Sequence, residues 1–175
     1  MIKKILTFSG PSGSGKTTLA NLFVSRNNYA FPTNFTTRDP RPNDTEYKHI
    51  TFEAFCHKMY CNELIEILHY NNNYYGIIAP EYEKIAMAID VVALPQLIKF
   101  TMEHNISLNS FFIDVDPEIA EKRMIKRGES VLFIQQRLKN DQISHLIGKA
   151  LCHHIVDGSL DPDTIYKQCL EKIVL

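Results

Sequence analysis

No stretch of this 175-residue chain is apolar for long enough to span a bilayer. The most apolar window, Ile85 to Ile98, is short and is broken by Asp90 and Pro95, whereas a spanning helix needs about 20 apolar residues. The N-terminal MIKKILTFSG lacks the apolar core and small-residue cleavage site of a secretory signal. Cysteine is sparse: Cys56, Cys61, Cys152 and Cys169, with no CxxC pair among them. Zinc sites drawn from Cys56, His57, Cys61 and His69, or from Cys152, His153 and His154, depart from the usual ligand spacings. Free thiols in a reducing cytoplasm are the expectation. A surplus of charge is missing too. Nineteen Lys and Arg against twenty Asp and Glu leave a net charge of −1, and no basic stripe asks for a nucleic-acid polymer. There is no internal repeat and no low-complexity tail. What remains is one soluble domain of ordinary composition, 45% hydrophobic and 22% charged.

Within it, strand and helix patterns alternate. Ile2 to Phe8 reads as a short buried strand, and Thr17 to Val24 as a helix with Leu19, Leu22 and Phe23 at helical spacing. Residues 32–42, PTNFTTRDPRP, carry three prolines and read as a loop. Thr51 is a plausible N-cap for a short helix. Leu64 to Tyr70 reads as a strand, the NNN of 71–73 as a turn, and Ile85 to Ala93 as a central strand. Pro95 to His104 looks helical, Phe111 to Val115 is a buried strand, and Pro117 to Arg127 is a helix stopped by Gly128. Val131 to His145 is a further helix, Ala150 to Val156 a weak strand and Ile165 to Ile173 a final helix. This alternation predicts an α/β fold with a largely parallel sheet. Residues 32–84 break the rhythm and read as a more polar inserted lobe.

GPSGSGKT, with Gly10, Gly15, Lys16 and Thr17 in place, is a full GxxxxGK[ST] match, and it falls between the first strand and the first helix. Its glycines let successive N–H groups turn toward one anion, and the following helix adds its positive end. Lys16 is suited to the β- and γ-phosphates of a nucleotide, and Thr17 to Mg²⁺. Small-molecule kinases, nucleotide-hydrolysing switches or motors, and non-catalytic binding domains all fit such a loop. No NKxD-type base reader of a GTPase is present, and a motor would need more chain.

Arg38 and Arg41 lie three apart in the proline-braced segment, a potential fork for a second phosphate. Glu66 shares a strand face with Leu64 and Leu68, with Ile65 and Ile67 on the other, so both faces around it are apolar. A buried carboxylate needs a partner. Guanine could supply one, since its N1–H and N2–H₂ edge donates two parallel hydrogen bonds; adenine presents an acceptor at N1 instead.

In the order SGPSGSGKTTL (9–19), TTRDPRP (36–42), Tyr47, Glu66, YYG (74–76), IDVVA (89–93), RMIKRG (123–128), QQRL (135–138) and HHIVDGSLD (153–161), the chain resembles a guanylate kinase over most of its length. The resemblance implies a P-loop NTPase-type three-layer α/β fold in one domain: a core of residues 1–31 and 84–175, a small inserted NMP-binding lobe of about 32–83, and a helical lid of about 124–142. It implies ATP and Mg²⁺ at Gly10, Pro11, Ser12, Gly13, Ser14, Gly15, Lys16, Thr17 and Thr18, with Thr17 on the metal. The acceptor GMP, or a related phosphorylated acceptor, would be held by Asn34, Arg38, Arg41, Tyr47, Glu66, Tyr75 and Asp90. Lys16, Arg38, Arg123, Arg127 and Arg137 would neutralise the phosphoryl group in transfer. A cytoplasmic monomer or homodimer acting on small molecules, with no nucleic acid and no membrane, is the expectation.

Several positions depart from the family. Small hydroxyl residues after YYG are replaced by Ile77 and Ile78, an acidic residue before Asp90 by Ala88, and the Asn-Asp pair of the adenine side by Asp157 and Gly158. The phosphate-handling arginines survive better than the base-reading shell. Two alternatives follow. The ending DGSL (157–160) and VDPEIAEKRMIKRGE are similar to kinases of ribose 1,5-bisphosphate, and guanylate-kinase-like scaffold domains bind proteins without catalysis. Scaffolds usually lose the phosphate loop, which is intact here.

Overall fold

A computed structural model describes residues 2–40, 47–61, 63–70, 72–78 and 83–174. Its centre is strand β1 (Lys4–Ser9). Strands β6 (Lys84–Ala88) and β7 (Ser107–Asp114) flank β1, and β8 (His154–Asp157) lies beyond β7; all pairings are parallel. A strand paired on both edges and covered on both faces reads as a near-continuous apolar run; Ile5, Leu6 and Phe8 are fully buried, with Thr7 and Ser9 the buried polar exceptions.

Side chains of β1 alternate between two helical layers. Leu6 and Phe8 meet helix α1 (Lys16–Asn27) and helix α6 (Pro162–Val174) in a cluster that includes Leu19, Phe23, Phe111 and Ile165. Ring centroids of Phe8 lie 5.5 Å from Phe23 and 5.7 Å from Phe111, pairs that add roughly 0.5–1.5 kcal/mol each beyond their buried area. Ile5 joins Ile85, Met87 and Leu97 on the opposite face, where helix α3 (Leu94–Glu103) packs. Helix α5 (Val131–Leu151) lies against β7 on that side: a Cβ on Gly148 would stand 2.2 Å from the Phe112 ring. His145 Nε2 at 3.1 Å and Lys149 Nζ at 2.7 Å both reach the Asp114 carboxylate at the end of β7. Helix α4 (Pro117–Lys126) starts at an Asp116 side-chain cap on the N–H of Glu118. The expected α/β, P-loop NTPase-type fold with a central parallel sheet is therefore present.

A second sheet is built from the segment between α1 and β6. Its strands are β2 (Thr33–Thr36), β3 (Lys48–His49), β4 (Leu64–Tyr70) and β5 (Asn73–Ile78), in the order β3-β2-β5-β4. Helix α2 (Phe52–Tyr60), capped by Thr51 as expected, covers one face with the fully buried Phe55. Gly76 lets the helix pack closely there: a Cβ would meet the Leu64 and Phe55 side chains at 3.0 Å.

Four elements differ from the sequence expectations. Residues 33–36 form β2 rather than loop, because Pro32 and Pro40 bracket the paired residues instead of interrupting them. Asn73–Ile78 form β5, where the sequence pattern marks only a turn over 71–73. The strand expected over Ile85–Ala93 ends at Ala88: the Asp90 carboxylate accepts the Val92 N–H at 3.2 Å and turns the chain into a 3₁₀ turn, Val91–Ala93, leading into α3. The weak strand expected from Ala150 begins only at His154, since α5 continues to Leu151. No helix among the described residues is long and apolar enough to cross a membrane.

Candidate active site

The phosphate loop leaves β1 after Ser9 and returns as α1 at Lys16. Gly13 and Gly15 hold φ of +78° and +96°, and a Cβ on Gly13 would lie 2.7 Å from the Ala120 carbonyl. A side chain is thus excluded twice at Gly13, by backbone conformation and by the approach of α4. No side chain caps α1 and no acidic residue occupies its first turn, which leaves the first amides and the positive helix end available to an anion.

Lys16 donates from Nζ to the carbonyls of Gly10 at 2.8 Å and Pro11 at 2.9 Å. Burial holds its pKa below the usual lysine value, opposed by the carboxylates of Asp141 and Asp90. The N–H of Ser12 donates to Asp141 Oδ2 at 2.8 Å. Arg123 donates to the Gly13 carbonyl at 3.3 Å, tying α4 to the loop. Arg127 pairs with Glu129 Oε1 at 2.8 Å, and Arg137 stands 3.7 Å from Glu129 Oε2 with its guanidinium 4.5 Å from the Phe133 ring centroid.

Among the described residues, two cavities adjoin the loop. A cleft of about 710 Å³ brings together Lys16, Thr17, Asn34, Tyr47, Asp90 and Asp141. On the other side of the loop, a cavity of about 500 Å³ is lined by Gly15, Thr18, Arg123, Arg127, Gly158 and Pro162.

Strand register explains how distant residues converge. Ile77 pairs with Asn34 on one side and Glu66 on the other; Tyr75 pairs likewise with Thr36 and Leu68. Direct cross-strand partners, and residues two apart on one strand, share a face. Asn34, Glu66, Tyr75 and Ile77 therefore lie on the face opposite α2. The Tyr47 ring meets Tyr75 edge-on at 5.7 Å between centroids. Glu66 is 7% exposed, and its Oε2 is buried with no hydrogen-bond partner among the described residues. Burial, with a smaller push from Asp90, raises its carboxyl to about 7.

Arg38 follows β2 with its N–H on Thr36 Oγ1 at 3.1 Å, its carbonyl 2.6 Å from His49 Nδ1 and its guanidinium on the Asp39 carbonyl at 3.3 Å. It is not among the residues lining the larger cleft. Arg41 lies outside the described residues. Asp141 and Glu129 were not singled out from the sequence. Their spacing held a signal: Asp141 is four residues after Arg137, hence on the same helix face. The four cysteines are free. His57, Cys61 and Glu63 gather at the exposed end of α2, where Lys58 holds Glu63 at 3.0 Å.

Comparison with known proteins gives the family of the chain. The family model for guanylate kinase matches residues 2–171. A guanylate kinase of Fusobacterium nucleatum is 34% identical over 143 residues, covering 75% of this chain and 76% of that protein. A guanylate kinase of Porphyromonas gingivalis is 30% identical over 184 residues, covering 97% of this chain and 94% of that protein. The crystal structure of guanylate kinase from Anaplasma phagocytophilum shares the fold with a TM-score of 0.70 at 19% identity, covering 98% of this chain and 85% of the other. On a match spanning nearly its whole length, the chain belongs to the guanylate kinase family.

Proposed function

We propose that the chain transfers the γ-phosphoryl group of ATP to GMP or dGMP, giving ADP and GDP or dGDP. The observation that carries this reading is Glu66: a buried carboxylate with an unpartnered oxygen, on the sheet face that also bears Asn34 and Tyr75. Guanine N1–H and N2–H₂ satisfy such a group, whereas the N1 acceptor of adenine leaves it unpaired, which costs of order 1–3 kcal/mol.

The donor triphosphate fits residues 10–18, where the first amides of α1 and the positive helix end favour an anion, and the cavity beside Thr18, Arg123, Arg127 and Gly158 offers room for its nucleoside. Tyr47 and Tyr75, with Arg38 and Arg41, are assigned to the acceptor phosphate. Lys16, Arg123, Arg127 and Arg137 are assigned to the charge that spreads over the phosphoryl oxygens in transfer. Phosphoryl transfer asks for positioning and positive charge more than for covalent chemistry. The Thr17 hydroxyl and the Asp90 carboxylate share the cleft and offer hard oxygen donors of the kind Mg²⁺ takes. When bound there, the ion supplies neutralisation of the phosphate oxygens. In domain terms, residues 1–31 and 84–175 act as core, 32–83 as the NMP-binding lobe and 124–142 as the lid, whose closure keeps water from the phosphoryl group. The four free thiols fit the cytoplasmic location expected from the sequence.

The comparisons favour neither the ribose 1,5-bisphosphate kinase nor the scaffold reading. The deciding experiment offers GMP, dGMP, AMP, UMP and ribose 1,5-bisphosphate as acceptors with ATP and Mg²⁺. GMP and dGMP should turn over far faster than the rest. Turnover of the sugar bisphosphate alone, or of no acceptor at all, would sink the proposal.

A further inference from the structure

Asp141 takes no part in the transfer described above, yet it holds one of the amides of the phosphate loop. Its Oδ2 accepts the Ser12 N–H at 2.8 Å and lines the same cleft as Lys16 and Thr17. The helix bearing it is fixed at a point further along. His145 and Lys149, four and eight residues on, both contact Asp114 at 3.1 and 2.7 Å. Residues four apart share a helix face, so this anchor directs Asp141 at the loop and places Arg137 one turn beyond it. Lys16 meanwhile spends two of its three donors on the Gly10 and Pro11 carbonyls, and Arg137 faces Glu129. Each charged group that a triphosphate would recruit already has a partner within the chain. One loop amide faces a carboxylate, the ligand type that competes most directly with phosphate for an N–H donor.

We propose that Asp141 is an internal anion that occupies the phosphate loop until nucleotide arrives, so that triphosphate affinity is set by competition with this side chain. The inference rests on the reading that residues 10–18 take the donor ATP. Asp141 is a positioning residue in this scheme, holding the loop and α5 together in the empty protein. Because Arg137 rides on the same helix face, release of Asp141 also frees that face of α5 to adjust as the donor binds. The cost takes a simple form: if the loop is open only a fraction f of the time, the apparent dissociation constant is the intrinsic one divided by f. A contact that closes the loop about nine times in ten weakens nucleotide binding roughly tenfold.

The test is equilibrium titration of the full chain, wild type, Asp141→Asn and Asp141→Ala, with ATP and with inorganic tripolyphosphate, each in EDTA and in Mg²⁺. Asn is isosteric and neutral, so it serves even if the alanine variant folds poorly. The alanine variant should bind both probes about tenfold more tightly than wild type, and the asparagine variant, whose Oδ1 can still accept the Ser12 N–H without the charge, more tightly by a smaller factor, with or without Mg²⁺. A merely structural residue would not tighten binding on removal. Unchanged or weaker binding overturns the proposal. Weaker binding confined to the Mg²⁺ titrations would mark Asp141 as a metal-facing group and overturn it equally. A wild-type chain that binds neither probe removes the loop reading itself and this inference with it, whereas wild-type binding without a gain in the variants removes only this inference.

Discussion

Replacing Glu66 by Gln tests the acceptor pocket through its charge. Burial, aided by Asp90, lifts the Glu66 carboxyl from 4.5 to about 7. At about 1.4 kcal/mol per pH unit, the buried carboxylate costs the empty protein about 3 kcal/mol once fully ionised. The sign follows from proton binding. The native state holds this proton more tightly than the unfolded chain, so the group is harmless below pH 4.5 and costs stability as pH rises toward and past 7. Glu66→Gln keeps the shape and removes the charge. Its stability relative to wild type, from urea unfolding, should therefore improve by about 2 kcal/mol between pH 5 and pH 8. Guanine binding reads the same group from the other side. GMP donates to the carboxylate and not to the carboxylic acid, so wild-type GMP affinity should fall roughly 30-fold from pH 8 to pH 5.5. The phosphate of GMP titrates near pH 6 as well, and Glu66→Gln isolates that contribution, since its weaker GMP binding should follow the phosphate alone. Calorimetry in buffers of different ionisation enthalpy should show proton release on GMP binding near pH 7 for wild type beyond that of the variant. Equal pH profiles for wild type and Gln, or a variant no more stable at pH 8 than at pH 5 relative to wild type, would refute the reasoning.

Lys16→Ala should abolish detectable transfer in a coupled ADP assay while leaving the thermal transition cooperative, because its partners are two loop carbonyls rather than core groups. Gly13→Ala should lower unfolding stability by about 1–3 kcal/mol in denaturant titrations, since φ is +78° and the new Cβ would meet the Ala120 carbonyl. Ile77→Thr restores a hydroxyl between Asn34 and Glu66 at the loss of one methyl group. It should raise the preference for GMP over AMP, measured as a ratio of kcat/KM values, about fivefold, the worth of one net hydrogen bond of about 1 kcal/mol.

The loop assigned to the donor rests on local rules. The glycine spacing of residues 10–15, a lysine and threonine after it and a buried strand before it specify backbone amides turned to an anion. Such a loop depends only on near neighbours in the chain, so it could be read before any fold was known. Strand and helix alternation gave the α/β class for the same reason, because periodicity is a local property. Element ends were less legible: the Asp90 cap that stops β6 at Ala88, and the continuation of α5 to Leu151, are set by contacts the pattern does not contain. The face assigned to the acceptor was legible only in part. Period 2 put Glu66 among apolar neighbours. That Asn34 and Ile77 stand in its row is a matter of register between β2, β5 and β4, separated by up to 43 residues in the chain. Asp141 at Ser12 is further still from sequence reasoning. The two are 129 residues apart, and their meeting depends on where Asp114 pins a helix that any exposed, charged pattern would equally have described. Local backbone chemistry fixed what this protein grips, while long-range packing chose which carboxylates face that grip and with what charge.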